Sequence, residues 1–392
     1  MTECVIVAAA RTPTGRFQGE MAKLSAVELG AVVVEALLAR SGISPQVIDE
    51  VIMGQVLTAG CGQNPARQTA LRAGLPVSVS AVTVNHVCGS GLKAVQLAAQ
   101  AIQSGAAQAV IAGGQESMSR APFLLNEARS GMRFGHGALV DSVLHDGLWD
   151  AFNDYPMGMT AENLARDYGI DRESQDRFAL ESQRKALAAR EAGRFLEESV
   201  PVTVSQGKGR LRVISEDEQP RSETSLESLA ALRPAFMPTG TVTAGNASTL
   251  NDGAAAVLVM SRERAEALKL PIMATIAGCA TAGVDPAVMG TGPVEATRRC
   301  LQQTGWSLAS VDLIEANEAF AVQALAVGQA LGWDASRVNV NGGAIALGHA
   351  IGASGCRILV TLLYEMQRRQ ASRGLATLCI GGGQGIALAV AR

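Results

Sequence analysis

A short stretch from Val84 to Ala94, with the sequence VNHVCGSGLKA, joins an apolar β-like run to a helix-like run. Cys88 lies between the two runs, and the apolar residues after it recur at helical spacing as far as Ile102. A thiol at such a turn faces unpaired backbone N–H groups and the positive end of the helix dipole, so we expect a lowered pKa for Cys88. The turn predicts a nucleophilic cysteine, with a small buried cysteine in a tight turn as the alternative.

The second half of the chain repeats the pattern of the first. Three segments have counterparts of the same character: residues 44–53 and 307–315, the Cys88 turn and 348–355, and 110–114 and 376–383. A period near half the chain predicts two similar α/β halves that pack together, with helices on both faces of the sheet. Equivalent turns of the two halves can then meet at one site.

Local signals predict the elements on each side of these turns. Ser25, followed by Glu28 and later by Gly42, indicates a capped helix over residues 25–41. Other predicted elements are strands over 5–10, 47–54 and 109–112, a helix over 63–73, and a helix over 356–367 that the turn 348–355 opens.

The middle of the chain has a different character. From Gln115 to about residue 245 the periodicity weakens, and polar and charged residues thicken between Asp150 and Arg233. Two amphipathic helices are predicted, near 160–168 and 172–192, and the second is most simply a solvent-facing surface helix. We interpret this part of the chain as an inserted loop domain.

Composition excludes several classes of protein. The chain has 392 residues, of which 48% are hydrophobic and only 4% aromatic, with 42 glycines, which is typical of closely packed α/β proteins. A net charge of −3 gives no sign of a nucleic-acid surface. Seven cysteines without CxxC pairs argue against disulfides and structural zinc. The N-terminus resembles no targeting leader and no run could span a bilayer, so we expect a cytoplasmic protein away from membranes.

Three further residues could act with Cys88. His349 lies in a glycine-rich turn equivalent to the Cys88 turn, and an imidazole there could take the thiol proton. Cys379 ends a predicted buried strand, where an inert core cysteine is the simpler interpretation. Asn317 could orient a water or a carbonyl oxygen, or could cap a helix. His86 is expected to point away from Cys88, because side chains alternate along a strand.

Known binding motifs and metal-ligand spacings are not found. The chain has no GxxxxGK[ST] sequence and no GxGxxG after the first strand, so nucleotide binding is poorly supported. His136 and His145 lack partners at metal-ligand spacing, and we expect no metal.

Taken together, these segments resemble the thiolase family, and the resemblance covers essentially the whole chain. The matching motifs are NHVCGSG at 85–91, GGQESMS at 113–119, NAS at 246–248 with NDGAA at 251–255, NEAF at 317–320, GH at 348–349 and CIGGGQG at 379–385. Within the family, the resemblance is strongest to the biosynthetic, short-chain enzymes of bacteria.

The resemblance implies a duplicated thiolase fold of the α/β class, with two similar core domains and an inserted loop domain. The implied boundaries are 1–117 with 246–270 for the N-terminal core domain, 118–245 for the loop domain, and 271–392 for the C-terminal core domain. It also implies a homotetramer.

The resemblance assigns roles to five residues. Cys88 would be the acylated nucleophile and His349 the base that activates it. Cys379 would move the α-proton of the substrate. Asn317 would hold a water that forms one oxyanion hole with His349, and the backbone N–H groups of Cys88 and Gly381 would form the other.

The implied reaction joins two acetyl-CoA molecules into acetoacetyl-CoA and CoA, reversibly, as in fatty acid metabolism. No cofactor is implied, because the CoA thioesters are themselves the substrates. Residues that match substrate and CoA contacts are Ser248, Arg221, Ser228, Leu148, Met157, Met289, Ala319 and Phe320.

The chain departs from the family pattern at two functional positions. Ala350 follows His349 where the family usually has proline, and we expect a modest loss of rate from a freer backbone. Pro156 stands where short-chain members usually have histidine, which removes a polar side chain near the acyl and pantetheine end.

Three alternatives to a short-chain acetyltransferase are compatible with parts of the sequence. A 3-ketoacyl-CoA thiolase of broader chain length would have the same fold. A β-ketoacyl synthase is disfavoured, because Asn317 stands where such enzymes would offer a histidine and because Cys379 would be superfluous. A non-catalytic acyl-CoA-binding or lipid-carrier protein would not be acylated on Cys88.

Overall fold

The strands form one large sheet and three small hairpins. Within residues 2–392, the part of the chain that the computed structural model describes, the strands are β1 (Cys4–Arg11), β2 (Gly15–Arg16), β3 (Glu50–Gly54), β4 (Ser80–Val84), β5 (Ala109–Ser117), β6 (Phe123–Leu124), β7 (Val140–Asp141), β8 (Trp149–Asp150), β9 (Tyr155–Pro156), β10 (Val202–Ser205), β11 (Leu211–Ile214), β12 (Asn251–Ser261), β13 (Ala274–Gly283), β14 (Leu313–Ala316), β15 (Arg373–Ile380) and β16 (Gln384–Ala391).

The helices cover the sheet and build most of the middle segment. The α-helices are α1 (Ala26–Ser41), α2 (Pro65–Arg72), α3 (Ser90–Gln103), α4 (Met157–Tyr168), α5 (Arg172–Glu191), α6 (Leu226–Ala230), α7 (Arg262–Ala267), α8 (Gly292–Thr304), α9 (Ala321–Leu331), α10 (Ala344–Leu347) and α11 (Ile351–Arg369). Among residues 2–392, no helix is long and apolar enough to cross a membrane.

The large sheet confirms the predicted duplication. Its strand order is β14-β15-β16-β13-β1-β12-β5-β3-β4, with β2 paired to β12. Outwards from the middle, four strands of each half follow the same order, β1-β12-β5-β3 in the first half and β13-β16-β15-β14 in the second, and β4 adds a further edge strand to the first half. The halves join where β1 and β13 run antiparallel, with Val5 opposite Thr275 and Ile6 opposite Ala274.

Two equivalent helices, α3 and α11, pack against each other between the halves. A side chain at Gly91 would place its Cβ 2.9 Å from the backbone nitrogen of Cys356, and one at Gly355 would place it 2.6 Å from the nitrogen of Leu92. Glycine at both positions lets the helix backbones touch near their N-termini. The turns that precede the helices, which carry Cys88 and His349, are thereby brought together.

The outer faces of the two halves carry other helices. α1 packs on β12 and α2, and α8 packs on β13 and β16. The predicted capping box of α1 is confirmed: the Ser25 hydroxyl accepts the Glu28 N–H at 3.2 Å, and the Glu28 carboxylate accepts the Ser25 N–H at 2.9 Å. Gly42 ends the helix in the left-handed conformation, at a φ of 67°.

Two predicted boundaries are wrong for the same reason. β5 continues through Gly113 and Gly114 to Ser117, and α11 begins at Ile351, inside the segment predicted as a turn. A Cβ at Gly114 would lie 2.0 Å from the carbonyl oxygen of Gly352. These small residues therefore serve close packing of strand against helix, whereas the sequence suggested turns.

The middle segment holds the three hairpins and helices α4 to α6. The prediction of a solvent-facing helix over 172–192 is wrong, because α5 packs on α9 and α10 and buries side chains such as Ala179, Leu180 and Ala186. We propose the predicted boundaries, 1–117 with 246–270, 118–245 and 271–392, as the domain division. This choice is supported by the return of the chain to the first half of the sheet in β12.

Candidate active site

Cys88 lies on a strained turn between β4 and α3. The preceding residue, Val87, has a φ of 45°, a conformation that β-branched residues rarely adopt. The turn is held by its own hydrogen bonds: the Gly89 N–H donates to the His86 carbonyl oxygen at 3.0 Å, and the Ser90 hydroxyl donates to the Val87 carbonyl oxygen at 2.6 Å. These contacts fix the direction in which the thiol points.

The expectation of a lowered pKa for Cys88 is wrong. Burial raises the pKa of Cys88 to about 11, although the N–H groups of Gly381 and of Cys88 itself face the sulfur and act in the opposite direction. The free energy needed to remove the thiolate from water exceeds the stabilisation that the two N–H groups give it. Cys88 therefore rests as a neutral thiol, and its use as a nucleophile requires a base.

His349 has the protonation state of such a base. Its Nδ1 lies 2.5 Å from the Ser354 hydroxyl, which in turn donates to the Ala350 carbonyl oxygen at 2.8 Å. The Ser354 hydroxyl donates its only proton to the Ala350 carbonyl oxygen, so it can only accept from Nδ1 of His349. Nδ1 therefore carries the imidazole hydrogen, and Nε2 keeps its lone pair. Burial, with the positive charge of Arg357, lowers the pKa of His349 to about 4, so the ring is neutral near pH 7.

Cys379 is the penultimate residue of β15 and is buried beside Cys88. Burial is the main cause that raises its pKa, and the negative charge of a Cys88 thiolate raises it further. Cys379 packs in an apolar cluster with Met157, Ala319 and Phe320. The two thiols are thus neighbours in a protected setting where either can hold a proton.

Asn317 does not cap a helix, so that alternative is wrong. Phe320 occupies the N-cap position of α9, and the Asn317 backbone N–H donates to the Thr377 carbonyl oxygen at 3.0 Å. Within residues 2–392, neither atom of its buried amide group has a hydrogen-bond partner. A buried amide in this state is suited to hold a water or a substrate oxygen.

Most predicted site residues line one cavity of about 200 Å³. Its walls include Cys88, His349 and Gly381, together with the predicted substrate contacts Leu148, Met157, Ser248, Met289, Ala319 and Phe320. Arg221 and Ser228 line a second cavity, and Thr249 belongs to the walls of both. The two cavities therefore adjoin. We call the first, whose wall is mostly apolar, the inner cavity, and the second, whose wall is more polar, the outer cavity.

Phe236 was missed from the sequence. It lines the inner cavity, and its ring centroid lies 6.3 Å from that of Phe320 in an edge-to-face arrangement. A Cβ at Gly158 would lie 2.1 Å from the Phe236 ring, so the glycine admits the aromatic side chain. The only signal in the sequence was this glycine at the start of a predicted helix.

Glu116 was also missed as a functional residue, although it lies within a matching motif. Its buried carboxylate accepts the N–H groups of Val56 at 3.0 Å, Leu57 at 3.2 Å and Gly352 at 2.9 Å. Burial raises the pKa of Glu116 to about 7. The side chain ties the first half of the fold to the first turn of α11, three residues after His349.

The prediction that His86 points away from Cys88 relied on strand alternation, but β4 ends at Val84, before His86. The His86 ring is half-buried, and Nε2 lies 3.0 Å from Oε1 of Gln384, at the start of β16. His86 therefore turns towards the second half of the fold.

Ala350 has a φ of −70°, close to the value that a proline ring imposes. We expect Ala350→Pro to raise the free energy of unfolding by about 0.4–1 kcal/mol, because proline restricts the unfolded chain. Urea unfolding followed by circular dichroism measures the change. Ala353→Pro is the matched control and should destabilise, because the Ala353 N–H donates to the Ala350 carbonyl oxygen at 2.9 Å. Destabilisation by Ala350→Pro would contradict the expectation.

Pro156 lies at the N-cap position of α4 with a φ of −68° and lines the inner cavity. Its ring presents carbon atoms and no hydrogen-bond donor to that space. The cavity wall at this point is apolar, as the sequence predicted.

Comparisons with known proteins agree with this geometry. Family models match the chain in two parts, the thiolase N-terminal domain over residues 4–263 and the thiolase C-terminal domain over residues 270–392. An acetyl-CoA acetyltransferase of Pseudomonas aeruginosa is 64% identical over 392 residues, and one of Cupriavidus necator is 61% identical, each with full coverage of both chains. A crystal structure of the Bacillus anthracis acetyl-CoA acetyltransferase superposes with a TM-score of 0.98 at 45% identity, over 100% of this chain and 99% of that one.

Proposed function

Because the chain belongs to the thiolase family, we propose that it is an acetyl-CoA C-acetyltransferase, which condenses two acetyl-CoA molecules to acetoacetyl-CoA and CoA and also runs the reverse reaction. Relatives that match it over their full length carry the name acetyl-CoA acetyltransferase. The observation that carries the proposal is the meeting of Cys88, His349 and Gly381 at one cavity, with Cys379 buried beside Cys88.

The first step in the cleavage direction is attack on acetoacetyl-CoA. The Cys88 sulfur bonds to the 3-keto carbon while Nε2 of His349 takes the thiol proton. The resulting oxyanion accepts hydrogen bonds from the N–H groups of Cys88 and Gly381, which already face the sulfur. The carbon–carbon bond then breaks, and the departing acetyl-CoA enolate takes the proton of Cys379, with Asn317 and His349 beside the enolate oxygen.

The second step returns the enzyme to its resting state. A CoA thiol gives its proton to the Cys379 thiolate, and its sulfur attacks the acetyl group on Cys88. Acetyl-CoA leaves, and the Cys88 sulfur recovers the proton from His349. Both thiols and the imidazole end neutral, as burial requires. Condensation is the same sequence reversed.

We propose that CoA lies across the two adjoining cavities. Ser248 and Thr249 would contact the pantetheine arm, and Arg221 and Ser228 would lie beside the nucleotide in the outer cavity. Acetyl-CoA, acetoacetyl-CoA and CoA are substrates, and we propose no cofactor.

The neutral imidazole leads to an expected pH profile. A lowered pKa moves protonation of Nε2, and with it the loss of the base, to lower pH. We expect kcat/KM to lack an inflection near pH 6.5 and to fall only as the pH approaches about 4. Initial rates of acetoacetyl-CoA thiolysis across mildly acidic to neutral buffers measure this. An acidic limb centred near pH 6.5 would contradict a buried, neutral His349.

A broader 3-ketoacyl-CoA thiolase is the second candidate, and the apolar wall at Pro156 favours it. The test compares kcat/KM for thiolysis of acetoacetyl-CoA and of longer 3-ketoacyl-CoA thioesters, with Cys88→Ala as the background. We expect the four-carbon substrate to be cleaved fastest. A rate that rises with chain length would overturn the acetyl-CoA proposal and support the second candidate.

We also propose a cytoplasmic homotetramer acting in fatty acid metabolism. Exposed apolar side chains between residues 123 and 139, among them Phe123 at 63% and Leu139 at 67% exposure, support association. All seven cysteines, which lie within residues 2–392, are unpaired, which supports a reducing compartment. Light scattering should give four times the mass of one chain, and a monomer mass would overturn the proposed assembly.

A further inference from the structure

The two N–H groups that face the Cys88 sulfur come from separate turns of the fold. One belongs to Cys88, in the turn before α3, and the other belongs to Gly381, in the turn between β15 and β16. An oxyanion hole is effective only when its donors are fixed relative to each other within a few tenths of an ångström. Some contact must therefore hold the two turns in register.

The packing between these turns is close but apolar. A Cβ at Gly89 would lie 2.4 Å from the Ile380 side chain, and one at Gly381 would lie 3.4 Å from Val87. Such contacts limit how closely the two turns can approach each other. They restrict sideways movement of one turn past the other much less, because dispersion forces have little directionality.

A directional contact is supplied by His86. Its Nε2 donates to Oε1 of Gln384, the first residue of β16, at 3.0 Å. Among residues 2–392, this is the one hydrogen bond between two side chains that links the Cys88 turn to the chain around Gly381. The backbone of His86 is anchored as well, because its N–H donates to the Ser90 hydroxyl at 2.8 Å. Burial, with the charge of Lys93, lowers the pKa of His86, so the ring is neutral near pH 7. Its hydrogen is assigned to Nε2 because the partner atom, Oε1 of Gln384, can only accept.

We propose that His86 is a positioning residue for the reaction: its hydrogen bond to Gln384 fixes the Gly381 N–H relative to the Cys88 N–H and so aligns the oxyanion hole. The inference rests on the proposed function. His86 does not line the cavity, so its effect is exerted through the two turns and not through substrate.

The test compares three replacements of His86. Glutamine places an amide N–H at nearly the reach of Nε2, whereas asparagine is one carbon shorter and leucine has no donor. We expect His86→Leu and His86→Asn to lower kcat for acetoacetyl-CoA thiolysis about tenfold, with KM within about twofold, and His86→Gln to keep most of the rate. His136→Leu, at an exposed histidine, is the control.

A double-mutant cycle separates positioning from a general structural effect. Gln384→Met should reduce kcat as much as His86→Leu, and the double variant should be no slower than either single variant. If His86→Leu does not fold, His86→Asn and Gln384→Met carry the comparison. Equal rates in wild type and single variants, additive losses in the double variant, or a change confined to KM would each overturn the proposal.

Alkylation of Cys88 by iodoacetamide gives a readout that is independent of turnover. Misaligned N–H groups should raise the pKa of Cys88, so the alkylation rate against pH should shift to higher pH in His86→Leu and not in His86→Gln. A wild type that alkylates but does not cleave acetoacetyl-CoA would remove the proposed function, while the shift would still test the His86–Gln384 contact.

Discussion

Cys88→Ala should reduce CoA-dependent thiolysis of acetoacetyl-CoA by roughly 10⁴-fold or more. In the proposed mechanism the cysteine supplies the atom that carries the acetyl group. Cys379 does not line the cavity, and burial raises its pKa, so we do not expect it to replace Cys88. Loss of the sulfur therefore removes the covalent route in both directions, and only the oxyanion hole and substrate binding remain.

The measurement is the steady-state loss of acetoacetyl-CoA, together with mass spectrometry of the protein after exposure to acetyl-CoA. The wild type should gain one acetyl group, located on the peptide that contains Cys88, and the variant should gain none. Cys61→Ala is a matched control at a half-buried thiol outside the cavity wall. A wild type that binds acetyl-CoA without being acetylated would instead indicate an acyl-CoA-binding protein.

Cys379→Ala should have a different effect, which separates the two thiols. We expect thiolysis and condensation to fall about 10³-fold, because an enolate is a strong base that needs a proton donor as it leaves. Acetylation of Cys88 by acetyl-CoA should fall much less, by about tenfold, because CoA, unlike an enolate, can leave as a stable thiolate when the proton of Cys379 is missing. Exchange of labelled CoA into acetyl-CoA measures this half-reaction alone.

The control for Cys379→Ala is Cys356→Ala, which removes another fully buried thiol, here on α11. Cys356→Ala should leave both thiolysis and exchange within a few-fold of the wild type. A loss of exchange as large as the loss of thiolysis in Cys379→Ala, with the fold intact by circular dichroism, would show that the acyl transfer needs Cys379 as much as the enolate does and would contradict this prediction.

The sequence was sufficient for features that depend on neighbours along the chain. The capping box of α1 follows from Ser25 and Glu28, and the strand–turn–helix around Cys88 follows from apolar periodicity. The duplication was visible because both halves repeat the same turns between similar runs. The fold class could therefore be predicted from the sequence pattern, and the family from the resemblance of its motifs.

The predictions that were wrong or missing concern features that depend on distant parts of the chain. The pKa of Cys88 is set mainly by burial, which the packing of both halves creates, and not by the helix that follows it. Gly352 and Gly355 are helical residues, and glycine stands at both positions because another backbone passes close to them. A run of small residues in the sequence does not reveal that neighbour. Glu116 ties the first half of the fold to α11 through the Gly352 N–H, 2.9 Å away, and this contact between distant residues could not be seen in the sequence.

The strand order that four strands of each half share is evidence that the two halves have a common origin. The turns before α3 and α11 are structural equivalents, yet one carries a thiol and the other an imidazole. A single ancestral half, paired with its own copy, would have presented two identical turns to one cavity. Gene duplication within one chain releases that symmetry, because each copy can then mutate independently. The proposed nucleophile, Cys88, and the proposed base, His349, would then be diverged descendants of one ancestral turn.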